Sequence, residues 1–428
     1  MRAVFCHDHR FVLDGEGGVF SSGVFPHRVW QRYLEAFDSV TVVARRWPSG
    51  REGELKALSR SDGRGISFVF VPSADSPSGL AFHRFKAAAM LREAISHADV
   101  VISRMPSEIG LLGARLARSL GKPWAIEVAG CPWDGLVHHG SWQGKLYAPV
   151  AVWRLRRAVA GASHVIYVTD GFLQRRYPAR GRVAAVSNVD IPGPEPSTLQ
   201  KRLARIGDGA GRLLTFGLIG SLGNRCKGVH TAIRALAEVR ERLPEFQFRV
   251  LGQGDPSPYQ LLAERLGVAA NVRFCGTLPA GGPVLEWLDD VDIYLQPSFH
   301  EGLPRALIEA MSRGCPAIGS TAGGIPELLD AECLHRPGDH GRFASLVERA
   351  VQDREWRARQ AQRNCETAKA YSREVLEQRR GAFWREFAAY ARRTQGSAEK
   401  RGMLTVNLRR ATPGSAPGRS SDRGGTTR

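Results

Sequence analysis

Short apolar runs alternate with helical stretches along almost the whole of this 428-residue chain, and that alternation is what most limits its fold. In the first half, RAVFC, SVTVVAR, ISFVFV, ADVVISR, PWAIEVAG and SHVIYVT read as buried strands. PHRVWQRYLEAF, HRFKAAAMLREAI, IGLLGARLARSL and APVAVWRLRRAVAGA read as the helices between them. In the second half the strands are RLLTFGLIG, FQFRVLG, NVRFCG, VDIYLQP and CPAIGS. Strands in this order bury both faces only as parallel sheets covered by helices, so the class is α/β. The proline-dense stretch VSNVDIPGPEPSTLQKR separates two such assemblies. The expected organisation is a first domain over 1–192, a linker over 193–212 and a second domain over 213–370. A helix over 371–395 then packs back toward the first domain, and a disordered basic tail spans 396–428.

Composition narrows the function. No stretch is long and apolar enough to span a membrane, and MRAVFCHDHRF is broken too early by charge to be a signal or transit peptide. The seven cysteines form no CxxC pair, which reads as reduced buried thiols in a cytoplasmic protein. The net charge of +18 calls for an anionic ligand, lipid surface or nucleic acid, but no nucleic-acid-binding motif accompanies it. Part of that charge lies in the tail, where seven Lys/Arg face Glu399 and Asp422.

Open parallel sheets bind ligands at the carboxyl ends of their strands, so the strand-to-loop transitions are the places to look. After VDIYLQP comes HEGLPRALIEAMSRG, with Glu301 in the loop and Glu309 in the helix that follows. Backbone amides of Gly302 and Leu303 would line the helix entry, where oxygen-rich ligands bind. The bland alternative is a surface ladder of Arg305, Glu309 and Arg313 at four-residue spacing. After RLLTFGLIG, the loop Gly220, Ser221, Gly223, Arg225 and Lys227 combines amides with two cations, which suits a diphosphate. It is neither a Walker A loop nor a dinucleotide fingerprint. Gly254 in RVLGQGDP, with Gly276 and Thr277 in RFCGTLP, would let backbone approach a base or ribose. In the first half, Gly17, Gly18, Ser22 and Gly23 form a candidate phosphate- or sugar-facing loop. EVAGCPWDGLVHHGSW offers Asp134, and Trp133 or Trp142 for stacking on a sugar. His138 and His139 have no third ligand nearby, so no metal is expected.

These residues match a family. EGLPRALIEA resembles the Glu-x7-Glu motif of retaining glycosyltransferase family 4, with Glu301 and Glu309 as its carboxylates. GSLGNRCKG is similar to that family's diphosphate loop, and LGQGDP, VRFCGTLP and STAGGIPELL recur in its order. The resemblance covers nearly all of residues 1–390 and is closest in the second half. It implies the GT-B fold, with two Rossmann-like domains whose parallel sheets face a central cleft. It also implies a nucleotide-sugar donor, no metal and no cofactor. Glu309 would bind ribose hydroxyls, Glu301 the donor sugar, and Lys227 with Arg225 the diphosphate. Two positions depart from the pattern. Ser221 stands where many members have arginine, and Ala129-Gly130 where they have a histidine, leaving Asp134 as the nearest polar candidate. The EVAGCPWD form is similar to a capsule and exopolysaccharide subgroup.

The resulting expectation is an enzyme that moves a hexose from a UDP- or GDP-sugar to a glycan acceptor, lipid-linked, at the inner face of the cytoplasmic membrane. The alternatives are a non-catalytic sugar-nucleotide-binding subunit and another GT-B enzyme such as an epimerase or phosphorylase. HRFKAAAMLREAI and APVAVWRLRRAVAGA are two basic apolar helices suited to anionic membrane contact.

Overall fold

The computed structural model describes residues 1–21, 25–47, 58–72, 79–138, 142–208 and 213–410, with side chains described for these except 79–84 and 397–410. The first sheet holds β1 (Arg2–Leu13), β2 (Val19–Ser21), β3 (Ser39–Arg46), β4 (Ser59–Arg60), β5 (Ile66–Val71), β6 (Val100–Met105), β7 (Trp124–Val128), β8 (His164–Tyr167) and β9 (Arg182–Ala185). Strands β5-β3-β1-β6-β7-β8-β9 run parallel, and β2 adds antiparallel to the end of β1 with β4 beyond it. The second sheet holds β10 (Leu214–Ile219), β11 (Phe246–Leu251), β12 (Val272–Phe274), β13 (Ile293–Gln296), β14 (Ala317–Ser320) and β15 (Leu334–His335). It is wholly parallel, in the order β12-β11-β10-β13-β14-β15. Continuous apolar runs make these strands because helices cover both faces. In Ile293–Gln296 and Ala317–Ser320 every residue is buried.

Local signals set the helix ends. Ser107 caps Glu108–Ser119 by accepting from the Gly110 amide at 2.9 Å. Pro304 precedes Arg305–Ser312, and Gly314 stops it with φ 65°. The helix Gly79–Ser96, one of the two basic apolar helices, buries Leu91 and Ile95 with Val4, Val43 and Val101 of the first sheet. Its apolar face is therefore core.

Three expectations are corrected. The segment 193–212 is not all linker, because Pro196–Gly207 is a helix. Pro196 fits its first turn, and Thr198, Arg202 and Ile206 are buried at four-residue spacing. The last helix is also longer than 371–395, running from Arg373 to Arg410. Residues 397–410 contain one glycine and no proline, and the Pro/Gly/Ser-rich composition begins only after them. The rest of the tail, 411–428, lies outside the described residues. Finally, Gly17 and Gly18 do not form an open phosphate- or sugar-facing loop; they make the tight turn from β1 into β2. The Gly18 amide already donates to Asp14 at 2.6 Å, so it is not free for a phosphate. Ser22 and Gly23 lie outside the described residues.

The two sheets are joined by a clamped crossing. Asp190 accepts from Arg28 of the first domain at 2.7 Å and from Arg373 of the last helix at 2.6 Å. Arg380 buries its guanidinium and donates to the Ser187 carbonyl at 2.6 Å. Trp384 and Phe387 pack on Tyr33 and Phe37. Helix Pro196–Gly207 is fixed to the second domain by Arg202, which is 3% exposed. It donates to the carbonyls of Arg313 at 3.1 Å, Leu288 at 2.9 Å and Val291, and to the Cys315 sulfur at 3.1 Å. Arg202→Ala would leave those buried acceptors unpaired. The expected loss is ~2–4 kcal/mol, seen as a thermal unfolding midpoint lowered by several degrees. An unchanged midpoint would contradict this anchoring role.

Candidate active site

The carboxyl ends of both sheets meet at one cleft. On the second-domain side, β10 ends at Ile219 and the loop Gly220–Gly228 leads into the helix Val229–Val239. Asn224 caps a short turn over Arg225–Lys227 by accepting from Cys226 N–H at 3.0 Å. Gly228 ends that turn with φ 72°, and a Cβ there would lie 2.0 Å from the Pro297 carbonyl. Only glycine fits this approach, and it brings the Lys227 loop against the loop after β13.

The loop after β13 carries Glu301, which is 8% exposed. Its Oε1 accepts from Lys227 Nζ at 2.7 Å, Ser298 Oγ at 2.8 Å and Gln296 Nε2 at 3.0 Å. Gln296 and Ser298 thus hold the carboxylate in place, and Lys227 neutralises it. Gly220 lies against the Lys227 side chain, and Ser221 Oγ accepts from Gly223 N–H at 3.2 Å. Gly254 packs against the Gly223 amide, and the Gly276 carbonyl accepts from Gly252 N–H at 2.7 Å. Thr277 and Arg225 are exposed. Leu303 is buried beside Gly302.

Glu309 sits about one turn into the helix Arg305–Ser312. The surface-ladder reading fails, because Arg313 pairs with Asp289 at 2.7 Å and no ion pair joins Arg305 to Glu309 among the described residues. Burial pushes the Glu309 carboxyl above its ordinary range; Arg305 lowers it and Asp190 raises it further. No side-chain hydrogen bond reaches this carboxylate among the described residues. It is an acceptor with unused capacity.

The first domain closes the cleft. A Cβ on Gly302 would lie 2.4 Å from the Ala129 carbonyl, so backbone of the two domains touches where Glu301 enters. Glu327, in the loop after β14, accepts from the Asp170, Gly171 and Phe172 amides at 2.7, 3.0 and 2.5 Å. His138, at the end of the helix Pro132–His138, packs its ring 5.8 Å from Phe299. Asp134 is not free: Arg176 binds both its oxygens, at 2.8 and 2.9 Å. It shapes the rim as half of an ion pair.

The sequence reading passed over His300, Gln296, Ser298 and Glu327. The His300 ring lies across the cleft against Gly135, within electrostatic reach of Asp134, Glu301 and Lys227. Its Nε2 is buried with no hydrogen-bond partner among the described residues. Burial holds its pKa below the ordinary value, so the ring is neutral at pH 7. Adjacency to Glu301 was the available signal for His300. Gln296 and Ser298 alternate with strand residues and carried none.

Residues 214–353 match the family model described as glycosyl transferases group 1. Over its second domain the chain is thus similar to the group 1 glycosyl transferases. It is 29% identical to Protein CapJ of Staphylococcus aureus over 378 residues, covering 88% of this chain and 93% of that one. It is also 29% identical to the GDP-mannose-dependent alpha-(1-6)-phosphatidylinositol monomannoside mannosyltransferase of Mycolicibacterium smegmatis, over 326 residues, 70% of this chain and 78% of that one. Its fold is that of sucrose-phosphate synthase from Thermosynechococcus elongatus, at a TM-score of 0.63 and 16% identity over 91% of this chain and 99% of that one. Two parallel-sheet domains around a cleft make this the GT-B architecture.

The half-buried Glu309 carboxyl has a stability consequence. A carboxyl whose folded pKa is raised stabilises the fold only while protonated, so its contribution is lost as pH rises above the ordinary value of 4.5. Glu309→Gln removes that loss. The variant should be as stable as the parent or more so at pH 7, with the gain shrinking as pH falls toward ~4.5. Thermal unfolding across this range checks it; a Gln variant less stable at pH 7 than at pH 4.5, relative to the parent, contradicts it.

Proposed function

We propose that this glycosyltransferase moves a hexose, with retention of configuration, from a UDP- or GDP-sugar to a lipid-linked glycan acceptor in polysaccharide assembly. The observation that carries this reading is the chemistry of the second-domain wall. Lys227 and Glu301 form a cation–carboxylate pair at the cleft, and beyond them lies the carboxylate of Glu309, with no side-chain partner among the described residues. A nucleotide sugar offers what this wall lacks: phosphates for the cations and paired hydroxyls for the carboxylates.

In this account Glu309 accepts from the ribose hydroxyls and Glu301 from the donor hexose, beside the Gly302–Leu303 backbone. Lys227, helped by Arg225, meets the diphosphate without a metal. The bond between the anomeric carbon and the β-phosphate oxygen breaks, and charge grows on the leaving diphosphate, where Lys227 and the loop amides are already placed. The acceptor oxygen forms its new bond on the same face, and its proton passes to the leaving phosphate oxygen. The pairing of Asp134 with Arg176 agrees with a transfer that takes its base from the donor itself. The lipid-linked acceptor is supported by the mycobacterial relative, which is named for phosphatidylinositol monomannoside. A peripheral place at the cytoplasmic membrane follows from such an acceptor, since no helix among the described residues is long and apolar enough to cross a membrane.

Thermal shift against a panel of UDP- and GDP-sugars, followed by transfer with the stabilising donor, tests the reading. Glu309→Gln should weaken donor and free nucleotide alike, and Glu301→Gln should weaken the donor far more, by ~1.5–3 kcal/mol each. Lys227→Ala should reduce turnover roughly 10²–10³-fold, and Arg225→Ala less. Equal effects of the two glutamate variants on free nucleotide, or near-parental turnover of Lys227→Ala, would contradict the assignment.

A further inference from the structure

The helix Trp142–Gly161 has two apolar faces, and only one of them is used by the fold. Gly144, Ala148, Ala151, Leu155 and Val159 are buried against the first domain. On the outward side, Trp142, Leu146, Val150 and Trp153 are 67%, 70%, 47% and 60% exposed. Their spacing of four, four and three puts them in one stripe about three turns long. Single exposed apolar side chains are ordinary, but two tryptophans, a leucine and a valine in one row are not.

The charge around the stripe selects its occupant. The helix carries Lys145, Arg154, Arg156 and Arg157 and no acidic residue. Arg154 is taken by Glu108 at 2.8 Å. Lys145, Arg156 and Arg157 are exposed, and the Arg157 guanidinium lies over the Trp153 ring, 5.8 Å from its centroid. We infer that this stripe docks the protein in the plane of an anionic lipid bilayer, with the two indoles at headgroup depth and the three cations on lipid phosphates. A second copy is the poorer occupant, because pairing two such helices would bring their cations together on chains that each carry +18. The placement serves the cleft. The helix starts four residues after His138, whose carbonyl accepts from Cys226 Sγ at 3.8 Å and whose ring packs on Phe299. A bilayer under the stripe would therefore lie at the cleft rim. The use of this docking rests on the lipid-linked acceptor proposed above, but the adhesion itself does not require transfer.

The test is flotation of the full chain with phosphatidylcholine vesicles, with and without phosphatidylglycerol, in the absence of donor. The parent should float with phosphatidylglycerol only, and less at higher salt. Replacing Trp142, Leu146, Val150 and Trp153 together by Ser should weaken vesicle binding by well over tenfold, since each loses an apolar side chain otherwise buried in the interface. These side chains are exposed, so the unfolding midpoint should stay unchanged. Arg156→Gln with Arg157→Gln should reduce binding and flatten its salt dependence. In the parent, brominated acyl chains should quench tryptophan emission, and Trp142→Phe with Trp153→Phe should remove most of that quenching. Flotation of the Ser variant equal to the parent would overturn the inference, as would a stable dimer in solution that the Ser substitutions dissociate. A parent that transfers sugar yet never floats overturns the docking alone; one that floats by this stripe yet transfers nothing overturns the transfer reading alone.

Discussion

The cleft depends on how the Glu301 carboxylate is satisfied. One oxygen receives a cation from the loop after β10 and two neutral donors from its own strand end. A buried carboxylate without such partners would be costly to ionise. Three consequences follow from meeting that need. Lys227 is drawn across Gly220 toward the helix entry. The loops after β10 and β13 are locked together, with Gly228 allowing the close approach. Glu301 is then fixed at the entrance of the helix that carries Glu309. The pair is also a store of reactivity: Lys227 is 30% exposed in its side chain, so a phosphate entering from solvent competes for a cation already at hand.

The rest of the molecule keeps the two domains on either side of that pair. Glu327 takes three amides of the first domain, Gly302 touches the Ala129 backbone, and Asp190 ties Arg28 to Arg373. Most of these contacts are polar and lie at loop ends, unlike the apolar packing of Trp384 and Phe387 on the first domain. Polar loop contacts of that kind resemble a transient interface more than a domain core. Glu309 shows the opposite bias: burial raises its pKa, so its charge is a burden to the fold.

Much of this was legible in the sequence, and the failures have physical causes. Buried parallel strands are continuous apolar runs, so β3, β6, β10 and β13 stood out, and with them the loops at their ends. Glu301 and Lys227 lie in those loops, and Glu309 in the helix that follows one of them. β9 and β15 did not stand out, because Arg182–Ala185 is half exposed and Leu334–His335 is two residues long. The helix Pro196–Gly207 was hidden by the prolines before it, although Thr198, Arg202 and Ile206 kept helical spacing. The Gly17–Gly18 turn carried the same residues a phosphate loop would carry, and only strand pairing distinguished them. Closure of Asp134 by Arg176, 42 residues away, and of Glu301 by Lys227, 74 residues away, belongs to tertiary structure and leaves no local trace.

The central claim is that Lys227 serves Glu301 in the free protein and the diphosphate when nucleotide binds. A double-mutant cycle in the calorimetric affinity for UDP or GDP, whichever binds, measures this directly. In the Glu301→Gln background Lys227 is released from its carboxylate, so Lys227→Ala should weaken nucleotide binding by a larger factor than it does in the parent. Equal losses in the two backgrounds would mean that the two side chains do not share the cation, and would contradict the account.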